Sequence, residues 1–255
     1  MSKTILEVSD LTMRFGGLLA VNGVGLTIKE GQVVSMIGPN GAGKTTVFNC
    51  LTGFYQPTGG KVVFAGEEIQ GLPGHKIARK GMIRTFQHVR LFKDMTLLEN
   101  LLVAQHQYMN NSLLAGLFKT RSYRAAEKEA LDNAVYWLKK VRLLDDANRE
   151  AGTLAYGQQR RLEIARCMVT RPSLLMLDEP AAGLNPSETD ELKKLIRDLR
   201  DNHSISVLLI EHDMKLVMDI SDHIFVINQG TPLASGTPEQ VRNNPAVIKA
   251  YLGEE

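Results

Sequence analysis

Hydrophobic and polar residues alternate at the start of the chain and then give way to an unbroken apolar run. ILEVSDLTMRF (5–15) and VGLTIKEGQVVSMIG (24–38) alternate or run apolar, and Gly and Asp break them, so the first quarter is predicted as strands. VVFAGEEI (62–69) has the form of a hairpin turning at Ala65-Gly66, and HKIARKG (75–81) that of a short helix stopped by Gly81. From Leu97 to Arg149 the spacing of apolar residues changes to three and four. TLLENLLVAQH and SYRAAEKEALDNAVYWLKKVRLL are predicted as helices, with Trp137 as a core anchor beside Leu131 and Leu138. The chain then returns to strands and helices in turn: SLLMLDEP, the helix ETDELKKLIRDLRDNH, SVLLIEHD, and a closing hairpin HIFVINQGTPLASG turning at Asn228-Gln229-Gly230. Apolar strands separated by helices indicate an α/β fold with a mostly parallel sheet covered on both faces. In such sheets the working groups gather beyond the carboxyl ends of the strands.

Composition narrows the classes. A formal charge of +2, from 30 basic and 28 acidic side chains, gives no general electrostatic grip on nucleic acid. Cys50 and Cys167 are far apart and lack short-spaced metal-type partners, so they read as small buried apolar residues. The first residues, MSKTILEVSD, do not have the form of a signal peptide, and no apolar run nears the roughly 18 residues of a membrane span. A cytosolic protein is expected, free or held at a membrane by other subunits.

The first candidate chemistry is GPNGAGKTT: Gly38, Pro39, Asn40, Gly41, Ala42, Gly43, Lys44, Thr45 and Thr46. It matches GxxxxGK[ST] in full, after an apolar strand and before a segment able to open a helix, which is the setting a phosphate loop needs. Glycines let backbone N–H groups converge on phosphate oxygens, and the helix N-terminus adds its positive end. Lys44 can reach the β- and γ-phosphates of ATP, and the Thr45 hydroxyl can ligate Mg²⁺. Asp178 closes a second apolar strand, placed to order Mg²⁺, and Glu179 follows as a candidate base for the attacking water. His212 ends a third apolar strand and should emerge on the same edge, near the γ-phosphate.

LAYGQQRRLEIARCMV (154–169), lying between that loop and LLMLDEP, resembles the signature segment of ATP-binding cassette (ABC) ATPases, and the resemblance covers nearly the whole chain. It implies a phosphate-loop NTPase core with an N-terminal antiparallel β-subdomain and a helical signature subdomain. The expected division is one cassette over 1–255, with core lobes 1–96 and 171–255 and a helical lobe 97–170. In that family two cassettes close head to tail on two ATP molecules. By position Gln87 in RTFQHVRLF matches the glutamine that senses Mg²⁺ and the attacking water, so that Thr45, Gln87 and Asp178 form the metal set. Glu179 matches the catalytic glutamate and His212 the switch histidine. Phe15 matches the aromatic that stacks on adenine, although it reads equally as an ordinary half-buried strand residue. Leu154, Ala155, Tyr156, Gly157 and Gln158 would present a helix N-terminus to the partner's γ-phosphate. Ala182, Gly183, Leu184 and Asn185 in AAGLNP match the loop that links the two sites.

Two departures stand out. Ala155 and Tyr156 replace the usual Ser and Gly of LSGGQ, which removes a hydroxyl from the signature, and Asn185 replaces the usual Asp of the linking loop. Taken together, TTVFNCLTGFYQPTGG, RTFQHVRLFKDMTLLENLLVAQH, LAYGQQRRLEIAR and DEPAAGLNP look like an ATP-binding subunit of a bacterial branched-chain amino-acid importer. That resemblance implies a second cassette subunit, different or identical, two integral-membrane permeases, a periplasmic amino-acid-binding protein acting indirectly, and a place at the cytoplasmic face of the inner membrane. Urea or short-amide import, lipid export, and a soluble cassette ATPase are the other readings. SLLAGLF (112–118) is expected either to pack on a permease or partner cassette, or to be a plain surface loop.

Overall fold

The computed structural model describes residues 3–106 and 121–252. SLLAGLF therefore lies outside the described residues. The chain divides into two compact units, the first made of Met1–Gln87, Ser173–Ala182 and Thr189–Glu255, the second of His88–Pro172 and Gly183–Glu188.

The first unit holds two sheets. β1 (Thr4–Phe15), β2 (Leu18–Lys29), β4 (Gly59–Phe64) and β5 (Glu67–Glu68) form an antiparallel sheet in the order β2-β1-β4-β5. β4 turns into β5 through Ala65 and Gly66, both at positive φ, which is the twist a two-residue hairpin needs. The second sheet has the order β10-β9-β3-β8-β7-β6 and contains β3 (Val33–Ile37), β6 (Met82–Arg84), β7 (Leu174–Asp178), β8 (Ser206–Ile210), β9 (His223–Asn228) and β10 (Thr231–Gly236). It is parallel except for β10, which returns antiparallel on β9. β3, β7 and β8 are buried at every position. Strands covered on both faces have no use for alternation, which is why they read as unbroken apolar runs.

One core joins Leu6, Leu11 and Phe64 of the antiparallel sheet to Met36, Met176 and Leu208 of the parallel one, with Phe48 and Leu51 of α1 (Lys44–Leu51) between. α2 (Gly74–Arg79) stops before Gly81, whose φ of 99° a side chain would resist. A smaller cluster links Ile37 and Val226 to Val217 of α7 (Met214–Ile220), Val241 of α8 (Pro238–Arg242) and Val247 of α9 (Pro245–Leu252). Cys50 and Cys167 are both free and buried, and burial pushes their thiols up to about 11 and about 12, so both stay protonated and inert.

The second unit is helical, with α3 (Leu97–Gln105), α4 (Arg121–Lys140) and α5 (Tyr156–Met168) in mutual contact. α3 begins at a full capping box: the Thr96 hydroxyl accepts from Glu99 N–H, and the Glu99 carboxylate accepts from Thr96 N–H at 2.8 Å. Asn100, fully buried, closes the preceding loop by donating to Phe92 O and Thr96 O while accepting from Phe92 N–H. Trp137 is buried as expected, but its buried companions on α4 are Ala130, Ala134 and Leu138, whereas Leu131 is 41% exposed. Leu131 precedes Trp137 by six residues, well off its face at 3.6 residues per turn. α4 also ends at Lys140, four residues before the expected pattern does, because Arg142 takes a left-handed φ of 57°. Among the described residues no helix is long and apolar enough to cross a membrane.

A candidate ATP site at the ends of three parallel strands

The phosphate loop leaves β3 and enters α1 in a space too tight for side chains. A Cβ on Gly38 would lie 2.1 Å from Ile227 O, and one on Gly43, which has a φ of 97°, would lie 2.8 Å from Ala20 O. The β9–β10 turn also binds the loop directly, since Gly230 N–H donates to Ala42 O at 3.0 Å. Gly43 is the N-cap of α1 and has no side chain to satisfy the first N–H groups of that helix, so its positive end faces outward beside Thr45 and Thr46. Lys44 folds back on the loop, donating to Gly38 O at 2.7 Å and Pro39 O at 3.0 Å. Burial lowers its pKa, against the opposing charges of Glu179 and Asp178. A cation held against its own loop's carbonyls at a helix N-terminus can receive an anion.

The acids emerge next to it. Asp178 ends β7 opposite Ile210 of β8, and Glu179 N–H donates to Ile210 O at 2.9 Å. Glu179 has a φ of 47°, a strained left-handed backbone for a residue with a side chain, of the kind that collects at functional sites. Its two carboxylate oxygens are both engaged. Gln87 Nε2 donates to Oε2 at 2.9 Å, and His212 Nε2 shares a hydrogen with Oε1 at 2.8 Å. Gln87, Glu179 and His212, distant in sequence, thus meet in the first unit.

A cavity of about 610 Å³ runs along this edge, lined by Asn40 to Thr46 of the loop, by Glu179 and His212, and at its far end by Phe15 and Leu18. Phe15 is 41% exposed and meets Tyr55 edge to face at 5.1 Å. Its ring therefore faces the cavity, on the phosphate-loop side, and is not buried in the sheet. The oxygen donors of Thr45, Asp178 and Gln87 are of the hard kind that suits Mg²⁺.

The signature and the linking loop come together in the second unit. Ala155, in extended conformation, is the N-cap of α5 and offers no side-chain acceptor, while Gln158 Oε1 accepts from Ala155 N–H at 3.1 Å. Gly157 sits against the Glu188 carboxylate, where a Cβ would be 2.3 Å from Oε1, and Gly183 lies beside the Tyr156 ring. The Arg160 guanidinium also covers that ring, 5.5 Å from its centroid. Leu154 is buried and Leu184 half-buried. Asn185 has a clear structural task. Its side chain accepts from Glu188 N–H at 3.0 Å and Glu188 accepts from Asn185 N–H at 2.9 Å, so it caps α6 (Pro186–His203) with Pro186 as the first helical residue. Asn serves this purpose as well as Asp. Ala182 belongs to the first unit and donates to Glu179 O.

Two buried charged groups of the site escaped the sequence reading. Glu211, between β8 and His212, accepts N–H groups from Ala181 at 2.7 Å and from His212 at 3.0 Å, tying the loop after Glu179 to the His212 loop. Burial raises its pKa, those N–H groups oppose the rise, and the charge of Glu179 adds to it. Arg84, at the end of β6, pairs with Asp178 at 2.6 Å. The apolar run VLLIEH hinted at Glu211, since an acid directly inside a buried strand end must find donors; nothing in RTFQ marks Arg84 as Asp178's partner.

The chain belongs to the ABC transporter family, whose model matches residues 21–182, and is an ABC transporter ATPase. Within it the match is to one branch: a model described as branched-chain amino acid ATP-binding cassette transporter matches residues 231–255. The chain is 75% identical over 254 residues to the high-affinity branched-chain amino acid transport ATP-binding protein BraF of Pseudomonas aeruginosa, covering all of both chains. It is 66% identical over the same length to LivG of Escherichia coli K12, which carries the same description, again covering all of both. Among solved structures it is similar to the ADP conformation of MJ1267, an ATP-binding cassette of an ABC transporter, with a TM-score of 0.86 and 32% identity over 99% of this chain and 100% of that one. The expected fold class, an ABC cassette with an antiparallel N-terminal sheet and a mostly parallel second sheet, is borne out.

The position of Glu211 yields a stability prediction. An acid whose folded pKa is raised is most stabilising below its unfolded pKa, and that contribution is lost as pH rises through the folded pKa. Glu211→Gln removes the charge but keeps only one of the two acceptor oxygens, so at about pH 8 it should lose less stability than Glu211→Ala. Glu211→Ala strips the N–H groups of their acceptor and should lose about 1–3 kcal/mol. Urea unfolding midpoints measure both, and a Gln variant as weak as the Ala variant would contradict the assignment.

Proposed function

We propose that this chain binds MgATP on the Gly38–Thr46 loop and hydrolyses it with Glu179 as the base, in a site completed by a second cassette. The observation that carries this reading is the Glu179 carboxylate, held through both oxygens by Gln87 and His212 at the mouth of the loop cavity. The chain is the ATP-binding component of a branched-chain amino acid ABC importer. Urea or short-amide import and lipid export would use the same ATP machinery. The cargo assignment rests on the match over 231–255 and on the descriptions of the relatives.

In mechanism, the loop N–H groups and the α1 N-terminus take the β- and γ-phosphates, and Lys44 exchanges its two loop carbonyls for phosphate oxygens. Phe15, steadied edge-on by Tyr55, offers its face to adenine. Thr45, Asp178 and Gln87 would hold Mg²⁺, which would neutralise charge developing on the phosphate oxygens. Glu179 accepts the proton of the attacking water. Gln87 and His212 fix its direction, and His212 is placed to exchange Glu179 for the γ-phosphate. In return, Leu154 to Gln158 give the partner's nucleotide the uncapped N-terminus of α5. With Ala155 in the N-cap, that position gives no hydroxyl. Asn185, as a cap, holds the start of α6 beside Gly157 through Glu188 and so keeps the linking loop attached to the signature.

The partners follow from this reading: a second cassette subunit, two integral-membrane permeases that hold the pair at the cytoplasmic face of the inner membrane, and, through them, a periplasmic protein that delivers the amino acid. No nucleic acid takes part.

Glu179→Gln should slow phosphate release by about 10²- to 10⁴-fold while ATP still binds; rates equal to wild type would remove Glu179 from the catalytic role. Purification from membranes should bring down two permeases and a second cassette. A partner set without permeases, or permeases paired with a binding protein for another class of cargo, would overturn the cargo assignment.

A further inference from the structure

Arg84 pairs with Asp178 beside the site, and nothing in the mechanism above uses it. It ends β6, three residues before Gln87. Its side chain is 7% exposed and that of its partner Asp178 5%. Nη2 donates to Asp178 Oδ2 at 2.6 Å, while Nη1 donates to Asn49 Oδ1 at 2.6 Å and reaches Thr52 Oγ1 at 3.4 Å. Asn49 lies on α1 and Thr52 is its C-cap. The guanidinium also lies against two rings, 5.5 Å from the centroid of Phe48 on α1 and 5.4 Å from that of Phe86, the residue before Gln87. One planar group therefore touches the helix that carries the phosphate loop, the strand end that carries the metal-ordering acid, and the stem of the glutamine loop.

We propose that Arg84 is a positioning residue for metal binding: it locks the Asp178 carboxylate to the phosphate-loop helix, so that Asp178 and Thr45 keep one spacing. This rests on the reading of Asp178 as the metal-ordering acid. A carboxylate at a strand end can turn about its last bond. Engaging Oδ2 stops that rotation, and the anchor on Asn49 refers the acid to the same helix whose first turn presents Thr45. Arginine suits the task because its rigid fork splits between two acceptors, which a single ammonium on a flexible stem cannot imitate. The pairing also keeps Asp178 from being a buried, uncompensated charge.

Simple charge and positioning give opposite signs for the metal. A guanidinium beside the site repels a divalent cation, so if charge alone mattered, its removal would tighten metal binding. Orientation predicts that removal weakens it.

The test uses the full chain saturated with ATP, with Mn²⁺ as the probe and its affinity measured by electron paramagnetic resonance. ATP affinity without metal is measured in parallel with a fluorescent analogue. Arg84→Met, close in size and uncharged, should weaken Mn²⁺ about tenfold or more, as loss of an outer-shell partner does, and leave metal-free ATP affinity unchanged. Arg84→Lys should recover only part of the loss. Mn²⁺ affinity in Arg84→Met equal to or tighter than wild type would overturn the proposal, and so would an equal loss of metal-free ATP binding. Should the Met variant fail to fold, Asn49→Ala keeps the ion pair and frees it from α1: weaker Mn²⁺ supports the proposal, and unchanged affinity contradicts it. Asp178→Asn separates the two layers. If it leaves Mn²⁺ binding intact, the reading of Asp178 itself fails; if it weakens Mn²⁺ and Arg84→Met does not, only the role of Arg84 fails.

Discussion

The candidate ATP site depends on one pairing, β8 held between β3 and β7 in parallel register. Met36 and Asp178 both lie opposite Ile210. The strands therefore end level, and the phosphate loop, the Asp178-Glu179 pair and the Glu211-His212 pair leave the sheet side by side. A slip of one residue would turn Asp178 to the other face of the sheet and carry its carboxylate away from Arg84 and the loop. The sharp exit of the chain at Glu179, with its left-handed φ, follows from the same pairing, since its N–H still bonds to Ile210 while the chain must already turn toward Ala181.

Buried polar groups hold that level edge in place. Glu211 gathers the N–H groups of two neighbouring loops, and Arg84 bridges strand end and helix. Such groups are costly to bury without partners. Their presence at this edge marks where the fold has given up apolar packing for exact placement of charge. The hairpin β9–β10 adds pressure from the side, since Ile227 O leaves no room for anything but glycine at position 38.

Much of this was legible in the amino-acid sequence, and for identifiable reasons. The phosphate loop is backbone chemistry, so its glycines have to be glycines, and the strands β3, β7 and β8 declare themselves by lacking alternation. Glu179 and His212 are legible as residues at the ends of apolar strands that should share one edge, whereas Gln87 follows from resemblance alone, and its meeting with them is a property of the sheet order, which no local pattern encodes. Leu131 falls off the Trp137 face because six residues do not bring a helix of 3.6 residues per turn back to one side. Asn185 departs from the usual Asp of the family pattern, but Asn-Pro-Ser-Glu spells a helix start in its own right. Arg84 could not be found, because its partners Asn49 and Asp178 lie far off in sequence and an isolated arginine carries no periodic signal. Phe15 needed the position of Tyr55 before either of its two readings could be preferred.

The two halves of the ATP machinery therefore have different characters. The first unit contains a nearly complete constellation of anion receptor, acids and aromatic wall. The signature and the linking-loop residues from Gly183 on lie in the second unit, where the chain's own contacts, Glu188 on Gly157 and Gly183 on Tyr156, hold them in shape. We propose that a single chain carries half of each working site, so that hydrolysis belongs to a pair of cassettes. Phosphate release per chain, followed at saturating MgATP across a wide range of protein concentration, tests this most directly. The rate per chain should be low in dilute solution and rise with concentration as cassettes meet. A rate per chain that is high and independent of concentration would contradict it.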